Sequence, residues 1–201
     1  LQTGGGLGVR DVMRSVASVG LAVLLGACAA RDSYVAAPAN TASGAWKIER
    51  QMDRITGTPV PSAIIVIDNA SNSFADRPRP ASLQLTCFDG KPLVRFAFDF
   101  KVGTEGNAML GYRFDERPGR DNAAARFLQE HRTVVIEDRS EIARFVGELA
   151  DARSLVIRIR SLSSGRTTAE FKVEGAAAAI DAAFAGCLVT PPPETRKRAG
   201  R

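Results

Sequence analysis

The 201-residue chain holds three cysteines and a single histidine. That is too few for most multi-ligand metal sites and for most histidine-dependent catalysis. His131 sits in the polar run Glu130-His131-Arg132, between a helix-like segment and a strand. A general base there needs an orienting acid and a nucleophile placed by the fold, and no G-x-S-x-G, H-E-x-x-H or S-x-x-K pattern supplies them. Asp115-Glu116 and Glu137-Asp138 are too sparse for a carboxylate metal loop. Gly4-Gly5-Gly6-Leu7-Gly8 follows no strand and is not a phosphate loop. His131 therefore reads as a surface residue, and no catalytic residue, metal or cofactor is expected. The chemistry left is recognition by charge. Arg95, Arg113, Arg158 and Arg160 occupy the polar faces of alternating runs, and they are the candidate contacts for an acidic partner surface or a glycan.

The third cysteine carries a different chemistry. From Met13 the text reads MRSVASVGLAVLLGAC, with Arg14 as a positive n-region and Val16 to Ala27 as a 12-residue apolar stretch. A helix of that length spans about 18 Å, short of the ~30 Å hydrocarbon core, so it reads as a signal peptide rather than an anchor. Residues 1–12 then read as an upstream extension or a longer n-region. The stretch ends in Leu25-Gly26-Ala27-Cys28, which resembles the lipobox of bacterial lipoproteins. That resemblance implies a diacylglyceryl thioether on Cys28, cleavage before it and acylation, typically by palmitate, of the new amino terminus. Several acyl chains on one residue exceed what stable anchoring requires. Ala29, where an Asp favours inner-membrane retention, points to the outer membrane, facing the periplasm.

With Cys28 acylated, Cys87 and Cys187 remain as an even pair in an oxidising compartment. Cys87 is in phase with Leu83 and Leu85 on a strand-like run, and Cys187 with Phe184 on a helix-like one. Both side chains then point inward, which predicts a structural disulfide. A redox pair wants C-x-x-C proximity and exposure.

The net charge of +5 suggests nucleic acid until it is located. Arg10 and Arg14 against Asp11 give residues 1–27 a net +1, and the tail from Pro191 to Arg201 carries +3. The region between is near +1, so no nucleic-acid partner is expected. Residues 28–44, rich in Ala, Ser, Pro and Asn, read as a flexible tether. Residues 45–188 read as one domain and residues 189–201 as a disordered basic tail.

Period-two alternation dominates that domain, as in Leu83/Leu85/Cys87, Val94/Phe96/Phe98 and Leu155/Ile157/Ile159. Asp89-Gly90 and Ser163-Ser164-Gly165 mark hairpins. Ile142, Phe145, Val146 and Leu149 switch to the helical period behind a capping box, Asp138 to Glu141. A second helix is predicted over Gly175 to Cys187, and a shorter one over Asn122 to Gln129. The fold class is α+β: mostly antiparallel sheet or sandwich with about two amphipathic helices packed on it.

The order of features also resembles a family. Trp46 opens the domain. A strand ending in Cys87 follows, then Tyr112-Arg113-Phe114-Asp115, the Phe145/Leu149 helix, Leu155-Val156-Ile157-Arg158 and Glu170-Phe171-Lys172-Val173-Glu174-Gly175. An Ala-rich helix closes on Cys187. Over residues 46–187 this layout is similar to the type VI secretion-associated accessory proteins (the TagO/VasI group). The resemblance implies a fold and an envelope role and no catalytic residue; the expected partner is another envelope protein. The expected function is a non-enzymatic, lipid-anchored binding or accessory module of the cell envelope. The alternatives are a periplasmic hydrolase of wall or glycan, built around His131 or Glu137/Asp138, and an inhibitor of a lytic enzyme.

Overall fold

The computed structural model describes residues 42–43, 46–128 and 130–189. The leader, Cys28, most of the tether and the basic tail lie outside the described residues. The described elements are β1 (Ala42–Ser43), β2 (Trp46–Met52), β3 (Pro59–Asn72), β4 (Arg79–Phe88), β5 (Lys91–Phe98), β6 (Ala108–Phe114), β7 (Arg120–Ala123), β8 (Arg126–Leu128), β9 (Thr133–Ile136), α1 (Arg139–Leu149), β10 (Ser154–Ser161), β11 (Gly165–Lys172) and α2 (Ala176–Ala183). The α+β expectation holds: one antiparallel sheet carries two helices.

The strands run β7-β6-β10-β11-β3-β4-β5-β9-β8, with β2 branching from β3 and β1 pairing β2. The sheet curls strongly. β11 and β5 are three strand spacings apart, about 14 Å if flat, yet the rings of Phe171 and Phe96 are 6.3 Å apart. The two ends of the order, β7 and β8, are also joined by Ala124 and Ala125 alone. That link holds the Cα atoms of Ala123 and Arg126 within about 11 Å, so the two free edges approach one another.

Alternation decides which face fills the interior. Leu83, Leu85, Val94, Phe96, Leu155, Ile157 and Phe171 are buried, and their neighbours face outward. Phe145 of α1 enters this core edge-on against Phe96 (6.0 Å), Tyr112 (5.1 Å) and Phe114 (5.0 Å), a geometry that places ring edges on ring faces. Trp46 fills the angle where β2 and β11 diverge along the same edge of β3. Its indole N–H donates to the carbonyl of Val173 at 3.1 Å.

Cys87, at the end of β4, is disulfide-bonded to Cys187 with Cα atoms 5.9 Å apart. The sequence places Cys187 on a helix, but α2 ends at Ala183. Cys187 lies in the turn beyond, its N–H donating to the carbonyl of Phe184 at 2.8 Å, next to Gly186 in left-handed backbone (φ 86°).

Three further expectations change. The Asn122–Gln129 segment is not helical where described. Its residues complete β7 and form β8, because the ladders to β6 and β9 outweigh the local helical preference of three alanines, which a segment this short cannot turn into a stable helix. The tether is not free throughout, since Ala42 and Ser43 pair with β2. Only half of the capping box forms. Asp138 Oδ1 accepts from the N–H of Glu141 at 2.9 Å, but the Glu141 side chain turns inward instead of back to Asp138. Among the described residues, no helix is long and apolar enough to cross a membrane.

Candidate interaction surface

Antiparallel register gathers the outward side chains of β6, β10 and β11 into rows. Arg113, Val156 and Glu170 form one, Gly111, Arg158 and Thr168 the next, and Met109, Arg160 and Arg166 the third. Three of the four predicted arginines, Arg113, Arg158 and Arg160, thus share one surface. Arg95 does not join them. It faces out from β5 beside Gln84 and Val135, four strand spacings from β10 on the outside of a curled sheet.

β7 borders this surface and supplies its counter-charge. The Asp121 carboxylate accepts from the guanidinium of Arg158 through Oδ1, and from Arg160 through Oδ2 at 3.0 Å. Arg158 reaches Asp121 across Gly111, the residue opposite it on β6. A Cβ at Gly111 would lie 3.0 Å from the Arg120 carbonyl oxygen and 3.5 Å from the Asp121 carboxylate. The glycine is what lets β7 close in on β6 at this point. Arg113 is less engaged: its only described ion pair is to Glu116 at 3.9 Å, and the Glu116 side chain is 95% exposed. Gly111, Arg113, Gly119, Arg158 and Thr168 outline a shallow depression of about 320 Å³.

A buried network fixes the floor. Glu141, 5% exposed in the first turn of α1, accepts from the Tyr112 hydroxyl at 2.7 Å and from Arg120 Nη2 at 3.1 Å. Burial first, and the Glu141 carboxylate second, push the Tyr112 phenol far above its ordinary range. Tyr112 on β6, Arg120 on β7 and Glu141 on α1 are thereby locked together under the arginine rows. At the end of β6, Asp115 accepts from the N–H of Ser154 at 2.8 Å and of Arg153 at 3.1 Å. These bonds, the one from Ser154 above all, hold its carboxyl below the usual range.

Of the residues considered for catalysis, Glu137 and Asp138 have other partners. His131 is exposed, in the turn after β8, and its carbonyl accepts from Val102. Glu137 pairs with Arg126 at 3.1 Å, and Asp138 caps α1. Among the described residues, no cluster of three or more His, Cys, Asp or Glu side chains could hold a metal ion. The sequence reading missed Asp121 and Arg120 because it placed a helix immediately after them. An isolated Gly111 inside an alternating run was the available signal for close backbone approach. Comparison of the chain with protein-family models, with curated proteins and with solved structures finds no match.

Proposed function

We propose that this chain is a non-enzymatic lipoprotein of the bacterial cell envelope. It is held by acyl groups on Cys28, faces the periplasm from the outer membrane, and acts as a binding or accessory module. The observation that carries the reading is the cluster of Arg113, Arg158 and Arg160 on the outer face of β6, β10 and β11, with Asp121 already seated between two of the guanidiniums. A forked guanidinium pair that accepts one carboxylate is suited to acidic side chains of a partner protein. The Cys87–Cys187 bridge supports an oxidising compartment, and the lipobox resemblance supports the anchor. A role beside a type VI secretion apparatus rests on the resemblance over residues 46–187.

The test is site-specific photocrosslinking in living cells. A crosslinker replacing Val156, between the arginine rows, should trap a discrete partner band that Arg113→Glu abolishes. One replacing Ala178 on α2 should not. Equal capture from both positions, or a band indifferent to Arg113→Glu, refutes the assignment of this face.

A further inference from the structure

The end of the sheet where β3 turns into β4 and β10 into β11 presents two large apolar side chains to solvent. Phe74 is 72% exposed and Leu162 90% exposed. Neither is loosely held. Asn72 Nδ2 donates to the Ser164 carbonyl at 2.8 Å and to Thr167 Oγ1 at 2.9 Å, while Asn72 Oδ1 accepts from the Phe74 N–H at 2.8 Å. Ser73 and Arg166 exchange two bonds, Ser73 N–H to the Arg166 carbonyl at 2.9 Å and Arg166 N–H to Ser73 Oγ at 2.9 Å. The Leu162 N–H is held by the Asn107 carbonyl at 3.1 Å. The Phe74 ring lies on the backbone of Gly165, which adopts left-handed φ of 70°. A Cβ at Gly165 would run into Ser73 Oγ and approach the ring to 3.3 Å. These bonds fix the two loops to each other and leave an aromatic and an aliphatic knob outside. Arg77, in the β3–β4 turn, and Arg166, the second residue of β11 at the near end of the third row, are exposed and have no ion pair among the described residues, and Asp76 is the one carboxylate in the two turns.

We infer that this loop tip is a second membrane contact: Phe74 and Leu162 enter the headgroup–acyl boundary of an anionic bilayer while Arg77 and Arg166 meet lipid phosphates. Side chains projecting from two adjacent turns, with cations set behind them, suit a deformable bilayer better than a protein surface, which would need matching pockets. The chain also keeps a bilayer within reach. Cys28 and Ala42 are 14 residues apart, at most about 50 Å of extended chain, so an acylated Cys28 concentrates the tip at the surface. The supply of membrane rests on the anchor proposed above; the tip's affinity for lipid does not.

The experiment uses the full protein, purified from membranes and reconstituted into vesicles of brominated phosphatidylcholine with or without phosphatidylglycerol. The chain has one tryptophan, Trp46, which is fully buried and serves as the reference. In Phe74→Trp, the added indole emission should shift to the blue and fall at least about twofold on the anionic vesicles. It should fall less without phosphatidylglycerol, and less in Phe74→Trp carrying Arg77→Ser and Arg166→Ser. Emission that stays water-like and unquenched on vesicle-bound protein overturns the inference. So does quenching equal on both vesicles and unaffected by the arginine changes. Far-ultraviolet circular dichroism and melting of each variant confirm that the fold is kept. The mass of the Cys28 peptide from the same sample separates the two readings. An unmodified Cys28 refutes the anchor, and an unquenched indole at position 74 refutes the tip.

Discussion

Tyr112→Phe deletes one oxygen from the buried network beneath the arginine surface. Tyr112 is 3% exposed and Glu141 5% exposed, and their contact is 2.7 Å. Without the hydroxyl, Glu141 Oε1 loses its donor, while Arg120 still serves Oε2 at 3.1 Å. A hydrogen bond to a charged group contributes about 1.5–3 kcal/mol, and water cannot easily replace it here. In a domain of this size each kcal/mol moves the midpoint by about 2–4 °C, so the variant should melt roughly 3–12 °C lower. Calorimetry of Tyr112→Phe, Glu141→Leu and the double variant closes a cycle in which the two changes should couple by about 1 kcal/mol or more. Ultraviolet titration gives an independent reading. One of the chain's two tyrosines should ionise only when alkali unfolds the protein, since burial and Glu141 hold Tyr112 protonated. A melt within about 0.5 kcal/mol of the parent, with additive single changes, would refute the network as the floor of the surface.

Cys87→Ala with Cys187→Ala removes a crosslink spanning 100 residues; chain entropy puts the loss at up to about 4.7 kcal/mol, and a reductant should lower the parent's melting temperature in the same direction. Gly165→Val should cost more than about 1 kcal/mol, because left-handed backbone and the contact with Ser73 and Phe74 both oppose a branched side chain; chemical denaturation measures it. Asp115 has a folded pKa depressed by the Ser154 and Arg153 amides. Its contribution is therefore present above the unfolded carboxyl pKa of about 3.9 and is lost as pH falls through the folded value. Asp115→Asn should flatten the acid limb of a stability–pH curve.

Much of the architecture was legible because one physical rule dominates it. Period-two alternation in Leu83 to Cys87, Val94 to Phe98 and Leu155 to Ile159 turns directly into one buried and one exposed face. The same phase brought Cys87 inward to meet Cys187. Short, weakly patterned segments escaped, since their structure is decided by partners far away in sequence. Arg120 to Leu128 becomes two edge strands only because β6 and β9 offer open ladders. Arg95 shares its pattern with Arg113 and Arg158 yet faces elsewhere, because curl and strand order are properties of the whole sheet. Asp121 was invisible as a partner for the same reason: it lies 37 residues from Arg158 in the chain. Glu141 fitted a local capping box, and the buried Tyr112 hydroxyl claimed it instead.

An intact mass spectrum of the native protein, taken from membranes without reduction, bears most directly on the picture of an acylated residue tethering a stapled recognition domain. The expected species begins at Cys28, carries a diacylglyceryl group and an amide-linked acyl chain, and is two hydrogen atoms lighter than its dithiol form through the Cys87–Cys187 bridge. An unmodified amino terminus upstream of Cys28 together with three free thiols would contradict it.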